Sequence, residues 1–473
     1  MAYVEPGFNS AAPYVQQAPK MFPLGLIGEV AQFFYEAAPR PVAEIALAGA
    51  IGFIAGITGR AYNISGTGLN QYLILLAPTG VGKEAIASGV GKLKNAIIAQ
   101  VPSIIDFIGP GDFSSATALI RAMEKQRCCL SISGEFGLKL KQMASPNAKE
   151  HLASLSRGLL QFYSKSGFNE TFDVVAFADE KNNTKSIASP ALTIIGESVP
   201  SVFYEALDES LIAGGLLPRC MVFEYLGERK YLNAGAATAT PNPALVQRVA
   251  DLAANCLTIM AQGAVCDVPL AAEAQAKSGE FDRWTTDTIN ANADEVHRQL
   301  WNRAHLKALK LAALQAVGEN PLAPNITLAH MMWATDLIAT QTSSLIARFA
   351  NDQVGNDAGS ETKQLKAVIR EISAFLVRDY DNERDLKFGV TFDMHRAGVI
   401  PQTYLSRKLL QTAAFKDKYT GGTKALIRVL KSLVDSDELG EMAKLQMQQQ
   451  FGHSPRSYVV KTTTRFVDAA IKP

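Results

Sequence analysis

The chain has 473 residues, 48% of them apolar, and a formal net charge of +1. That length allows two or three domains with ample buried core, and the near-neutral balance excludes a globally basic nucleic-acid coat while leaving local patches open. Five cysteines (Cys128, Cys129, Cys220, Cys256 and Cys266) follow neither metal nor disulfide spacing and read as buried, reduced thiols of a cytoplasmic protein.

Residues 1–21 are polar and proline-punctuated and read as an arm. No basic stretch followed by an apolar run opens the chain, so no signal peptide is expected. Residues 22–65 read as a helical preface. Within it, IALAGAIGFIAGITG (residues 45–59) is uncharged, yet shorter than the roughly 20 apolar residues a bilayer span needs. Its glycines and alanines suit a tightly packed buried helix, and a soluble protein is expected.

Residues 71–76 form a short, nearly all-apolar run, the pattern of a buried strand in a parallel sheet. They lead into LLAPTGVGKEAI. A phosphate loop reads G-x-x-x-x-G-K-[ST] and requires a strand before it and a helix after it; both are expected here, the helix over residues 83–99. The backbone of Pro78, Thr79, Gly80, Val81 and Gly82 would nest phosphate oxygens at a helix N-terminus. Lys83 would reach the β- and γ-phosphates, and the two glycines permit the tight bend. Ala77 replaces the first glycine. Glu84 replaces the hydroxyl that ligates Mg²⁺.

Strand and helix signals then alternate. Strands are expected at 103–108, 128–133, 191–198 and 221–225, and helices at 113–126 (capped by Asp112), 150–164 and 199–207. The alternation predicts an α/β core over residues 66–231 whose active edge lies at the carboxyl ends of parallel strands. CLSISGEF carries Gly134 where the metal-serving Asp of a Walker B strand would stand, and only Glu135 remains. One carboxylate is missing from the sheet edge and one is added in the loop. Glu84 and Glu135 are therefore the candidate metal residues, Glu84 holding the cation directly or through water and Glu135 orienting the attacking water. The open alternative is a site that binds nucleotide and hydrolyses it poorly.

Glu197 and Ser198 end the next strand; Ser198 either senses a γ-phosphate or caps the following helix. Arg219 lies between Gly214-Gly215 and a strand, a place from which arginine can stabilise charge on phosphate held by a neighbouring subunit. Arg303 is a candidate second phosphate sensor. His297 and His305, eight residues apart, have poor ligand spacing and read as packed or solvated.

Residues 233–243 form a small-residue connector, 244–350 a helical lid, and 351–360 a polar, glycine-bearing linker. In residues 361–473, helices at 365–378, 401–410 and 423–434 precede ELGEMAKL and RSYVV, which read as a hairpin; this is the order of a winged helix. Arg407, Lys408, Lys416, Lys418, Lys424, Arg428 and Lys431 face a single acid, Asp417, an excess suited to phosphate-backbone contact. Protein docking is the open alternative for this unit. Lys139, Lys141 and Lys149 are candidates for a DNA-contacting loop.

These motifs, in this order, resemble the phage-, prophage- and plasmid-encoded P-loop ATPases grouped as a domain of unknown function and described as replicative helicases or primase-helicases. The resemblance spans residues 39–458 and rests on PRPVAEIALAGAIGFIAGITGRAY, NQYLILLAPTGVGKE, SISGEFG, SPALTIIGESVPSVFYEAL, GLLPR and WNRAHLKALKLAALQA. It implies a RecA-like P-loop NTPase core, use of ATP and Mg²⁺, assembly as a homo-oligomeric, hexameric ring, and DNA as partner. It places the loop lysine at Lys83, the strand-end acid at Glu135 and the arginine acting between subunits at Arg219. The family loop ends in Ser or Thr, so Glu84 departs from it, and no primase motif is evident. The expectation is an ATP-driven DNA helicase of phage type, in the host cytoplasm if phage-encoded. Left open are a nucleotide-gated helicase loader or origin-binding initiator, and a DNA-binding regulator with a structural loop.

Overall fold

The computed structural model describes residues 22–144, 148–173, 185–207, 212, 214–350, 361–415, 422–453 and 455–461. Two compact units divide the chain, Met1–Ala347 and Arg348–Pro473. The expected arm and linker, together with Lys416 and Lys418, lie outside the described residues.

The first unit opens with helices α1 (Leu26–Glu36) and α2 (Ala43–Thr58), then strands β1 (Tyr62–Ile64), β2 (Thr67–Gly68) and β3 (Tyr72–Leu76). Next come α3 (Ala85–Ile97), a 3-10 turn (Pro102–Phe107), α4 (Ala116–Lys125), β4 (Cys128–Ser133), α5 (Phe136–Ala144) and α6 (Glu150–Ser164). They are followed by β5 (Thr171–Phe172), β6 (Ile187–Ala188), β7 (Ala191–Ser198), α7 (Pro200–Ala206), the single turn α8 (Leu216–Arg219) and β8 (Cys220–Glu224). Then run α9 (Pro243–Ala261), β9 (Cys266–Asp267), α10 (Ala272–Asn290), α11 (Glu295–Trp301), α12 (Ala304–Glu319) and α13 (Leu328–Ala350).

Strands β4, β7, β3 and β8 pair in that order into an all-parallel sheet. The fold is therefore mixed α/β around a parallel sheet, as the alternation predicts, with β3 buried at every residue. Helix α2 explains its own odd composition. A Cβ on Gly52 would stand 2.5 Å from Ile195 Cδ1 of β7, and one on Gly56 would stand 2.7 Å from Leu130 Cβ of β4. Glycine lets the helix backbone lie directly on the sheet, and 13 of the 16 residues of α2 are buried. On the opposite face Gly196 is roofed by Phe136 at the start of α5. Among the described residues one helix, α9, is long and apolar enough by length and composition to cross a membrane. Its core-facing side carries Leu245, Val249, Leu252 and Cys256.

Several expectations are corrected. Residues 103–108 are not a strand: Pro102 starts a 3-10 turn, as its fixed φ favours, and only Ile108 bridges Leu130. The next helix begins at Ala116, capped by Ser115 accepting from the Ala118 amide. Asp112 accepts instead from the Phe113 amide and from Lys139. Ser198 caps nothing; Val199 occupies the N-cap of α7 and the Ser198 hydroxyl donates to the Val199 carbonyl. The preface is not purely helical either, because β1 pairs with β2 and with β9 from the lid region.

The second unit holds α14 (Glu361–Val377), α15 (Asn382–Lys387), α16 (Phe392–Arg396), β10 (Ile400–Pro401) and α17 (Gln402–Leu409). After these come α18 (Gly422–Asp435), β11 (Leu439–Glu441), α19 (Lys444–Phe451) and β12 (Ser457–Val460). The expected hairpin strands do pair, β11 with β12 antiparallel. However, the Gln-rich stretch between them is the helix α19, consistent with its run of good helix formers, and β10 adds a third strand beside β12. A bidentate pair anchors this unit: Arg378 donates to both Asp385 oxygens at 2.7 and 2.6 Å, and the Asp381 amide adds a third bond at 2.9 Å. Burial pushes the Asp385 carboxyl up, but these bonds outweigh it and hold the group below its ordinary value.

Candidate functional site

The bend after β3 turns through two glycines at positive φ. Gly80 and Gly82 adopt φ of 78° and 100°, values open to glycine at little cost. A Cβ on Gly82 would come within 3.1 Å of the Arg40 carbonyl oxygen. Among the described residues, none of the backbone amides of Thr79, Gly80, Val81, Gly82, Lys83 and Glu84 donates a hydrogen bond. Thr79, Gly80 and Glu84 are exposed, Gly82 and Lys83 are half-buried, and Val81 is buried. Helix α3 starts at Ala85, two residues later than expected, within the ordinary uncertainty of helix ends.

Lys83 folds back over the bend, its Nζ donating to the carbonyls of Ala77 (3.1 Å) and Ser198 (3.3 Å). The Ala77 amide in turn donates to the Ser198 carbonyl at 3.2 Å. The end of β7 is thus stitched to the root of the loop. Register explains which side chains meet here: Leu75 pairs with Glu197 and Leu76 with Ser198 on one side of β7, and Ser133 pairs with Gly196 on the other. Because β7 lies between β3 and β4, its end stands between Lys83 and Glu135.

Glu197 is the perturbed group at this edge. Burial raises its carboxyl from 4.5 to about 7; nearby Lys83 opposes the rise, while Glu84 and Glu135 add to it. Three carboxylates and one ammonium therefore share one electrostatic neighbourhood. Glu135 adopts φ of 55°, left-handed for a non-glycine residue, a strain that concentrates at functional sites. Among the described residues no group of three or more His, Cys, Asp or Glu forms a preformed metal cage. Mg²⁺ needs none when phosphates and waters supply most of its ligands.

Two residues near the loop carry no motif in the sequence. Arg229 Nε donates to the Gly80 carbonyl at 2.9 Å, and Arg40, whose backbone abuts Gly82, donates to the Lys230 carbonyl. The only hint of them is their being basic in the segments flanking the helical preface and β8. Beside the carboxyl end of β8 lies a cavity of about 380 Å³ lined in part by Glu44, Leu47, Tyr204, Phe223, Glu224 and Gln341.

Arg219 and Arg303 sit elsewhere. Cys220 pairs with Tyr72 at the start of β3, so Arg219 lies at the amino-terminal edge of the sheet, roughly 16 Å of strand from the loop root. Arg219 Nη1 donates to the Gly215 carbonyl at 2.6 Å, while its buried Nε has no partner among the described residues. Burial, then Arg303 close by, lower its affinity for the proton. Arg303, at the N-cap of α12, therefore accompanies Arg219, away from the loop of its own chain. Behind them Lys307 and Lys310 are buried, Lys310 Nζ donating to Asn70 Oδ1 at 2.8 Å.

Of the expected nucleic-acid residues, Lys139 does not lie in a loop. It belongs to helix α5, and its ammonium is tied to Asp112 and to the Phe113 carbonyl. Lys141, on the same helix, pairs with Glu205 at 3.3 Å, and Lys149 is the exposed N-cap of α6. In the second unit Lys424, Arg428 and Lys431 share one exposed face of α18. Arg407 and Lys408 lie on α17; Arg407 donates to the Lys387 carbonyl and the Lys408 ammonium stands 5.4 Å from the Phe388 ring centroid. Cys128, Cys129, Cys220 and Cys256 are buried free thiols, as expected, and Cys266 is half-buried. His305 is satisfied by Ser278 and Asp282.

No family model matches the chain, and no curated protein matches it.

Proposed function

We propose that the bend between Leu76 and Ala85 binds a nucleoside triphosphate and that the protein is an ATP-driven DNA motor of the RecA-like, P-loop class. The observation that carries this reading is the bend itself: six amides that donate to none of the described residues, two glycines at positive φ, and Lys83 at the carboxyl edge of a parallel sheet. Lys83 would exchange its two carbonyl partners for β- and γ-phosphate oxygens. The strand order supports a direction for the ligand. Its terminal phosphate would face Glu197 and Glu135, and its nucleoside would extend toward β8 and the adjoining cavity.

Within this reading Glu135 orients the attacking water and Glu84 stands at the cation side of the loop. Mg²⁺, when bound, supplies charge neutralisation to the phosphates. Ser198, fixed between Ala77 and Lys83 by its carbonyl, holds the two strand ends in register. Arg219, too far from its own loop, serves a nucleotide bound by the next copy in a ring, with Arg303 beside it. The second unit, read as a winged helix, presents Lys424, Arg428 and Lys431 to phosphate backbone.

Crowding of three carboxylates around one lysine favours a second reading, a nucleotide-gated loader or initiator with weak hydrolysis. Phosphate release by wild-type and Lys83→Ala protein, with and without single-stranded DNA, separates the two. A motor requires DNA-stimulated turnover that Lys83→Ala abolishes. Nucleotide binding without stimulated turnover selects the gated reading, and turnover unchanged by Lys83→Ala ends both.

A further inference from the structure

The Walker B position lacks its aspartate, and the fold indicates where its replacement stands. Ser133 of β4 pairs with Gly196 of β7, so one residue further along brings Gly134 level with Glu197. Strand residues alternate faces. Glu197 therefore shares a face with Ile195, which lies against Gly52 of α2, and Gly134 follows the parity of Leu130, which lies against Gly56 of the same helix. Continuing that alternation one residue past the end of β4 at Ser133, an aspartate at Gly134 and the glutamate at 197 would project toward the same side, with Glu197 one strand nearer the loop. Glu197 pairs with Leu75 at the root of the loop, and Lys83 donates to the carbonyl of the adjacent Ser198 at 3.3 Å.

We propose that Glu197 supplies, from β7, the cation-facing carboxylate that β4 lacks at Gly134. This rests on the nucleotide reading above and names a residue that reading left without a role. The longer glutamate side chain suits a donor that acts through a cation's water shell, because Mg²⁺ keeps most of its waters. The same placement explains how Glu84 is tolerated. With the acid moved from β4 to β7, two carboxylates flank the cation side of the loop and Glu135 is left to orient water.

Gly134 makes the assignment testable by transplantation. A Cβ there would meet no atom within 4 Å, and its φ is not in the left-handed region, so a side chain can start at this position without a clash at Cβ or backbone strain. The measurement is the affinity of a fluorescent ATP analogue in Mg²⁺ and in EDTA, for wild type, Glu197→Gln, and Glu197→Gln combined with Gly134→Asp. Glutamine is isosteric, and burial already favours the uncharged form of this residue, so Glu197→Gln is expected to fold. Wild type should bind more tightly in Mg²⁺. Glu197→Gln should lose about tenfold or more of that Mg²⁺-dependent gain while its EDTA affinity stays the same or improves, and Gly134→Asp should restore the gain. A full Mg²⁺ gain in Glu197→Gln overturns the assignment alone. Wild-type protein that binds the analogue in neither condition overturns the nucleotide reading and the assignment together.

Discussion

Charges at both ends of the sheet are held in settings that oppose their ionisation. At the carboxyl edge Glu197 is raised to about 7, by burial first and by its acidic neighbours second. At the amino edge burial lowers Lys310 from 10.5 to about 7 and Lys307 to about 8. Lys310 is fully buried, with Asn70 Oδ1 at 2.8 Å and the Tyr163 ring centroid at 4.3 Å. The sign of its effect on folding follows from proton binding. Between pH 7 and 10.5 the unfolded chain holds a proton that folded Lys310 has given up, so this group adds stability as pH rises through that window, and its cost is greatest at pH 7 and below. Replacing it with an apolar residue of similar length removes the cost. Lys310→Met should raise Tm relative to wild type at pH 7, with the difference shrinking toward pH 10. Thermal unfolding of both proteins across that range checks it, and a difference independent of pH would refute the account of Lys310.

Helix α2 is the element whose packing most constrains its sequence. Its glycines at 52 and 56 let backbone meet β7 and β4 without intervening side chains, and a methyl group at Gly56 has no room to relax because Leu130 Cβ and its backbone are the neighbours. Gly56→Ala should therefore cost about 1–3 kcal/mol by overpacking. Gly91→Ala, in α3 where a Cβ would meet nothing within 4 Å, should instead add about 0.5–1 kcal/mol by favouring the helix. Urea unfolding of the two variants reads both signs. At this scale much was legible in the sequence. The four sheet strands stand out because strands buried on both faces are written as apolar runs, and α6 matches its expected span because its amphipathic period is uninterrupted. The failures have local causes. Pro102 turned a largely apolar stretch into a 3-10 turn, α19 hid in a glutamine run with no apolar stripe, and β1, β2 and β9 are two or three residues each, too short for any period. Lys139 looked like a loop residue because its partner Asp112 lies 27 positions away.

At the scale of the first unit, the parallel sheet separates two chemistries. Its carboxyl edge gathers Lys83, Glu84, Glu135 and Glu197, and its amino edge gathers Arg219, Arg303, Lys307 and Lys310. That separation was only half visible beforehand. Lys83 and Glu135 were legible from motif and spacing, whereas the neighbourhood of Arg219 and Arg303 depends on strand direction and helix packing, which residue spacing does not encode. A chain divided in this way keeps Arg219 and Arg303 away from its own loop, so these two can act on a bound nucleotide only if another copy holds it. Any such cooperation requires the bend to be a triphosphate site. The most direct test is calorimetric titration of ATP, in Mg²⁺, into wild-type and Lys83→Ala protein. Saturable 1:1 binding per chain by the wild type, weakened about tenfold or more in Lys83→Ala as expected for a lost charge-assisted phosphate contact, is the predicted result. Equal affinity in the two proteins, or no binding by the wild type, would contradict it.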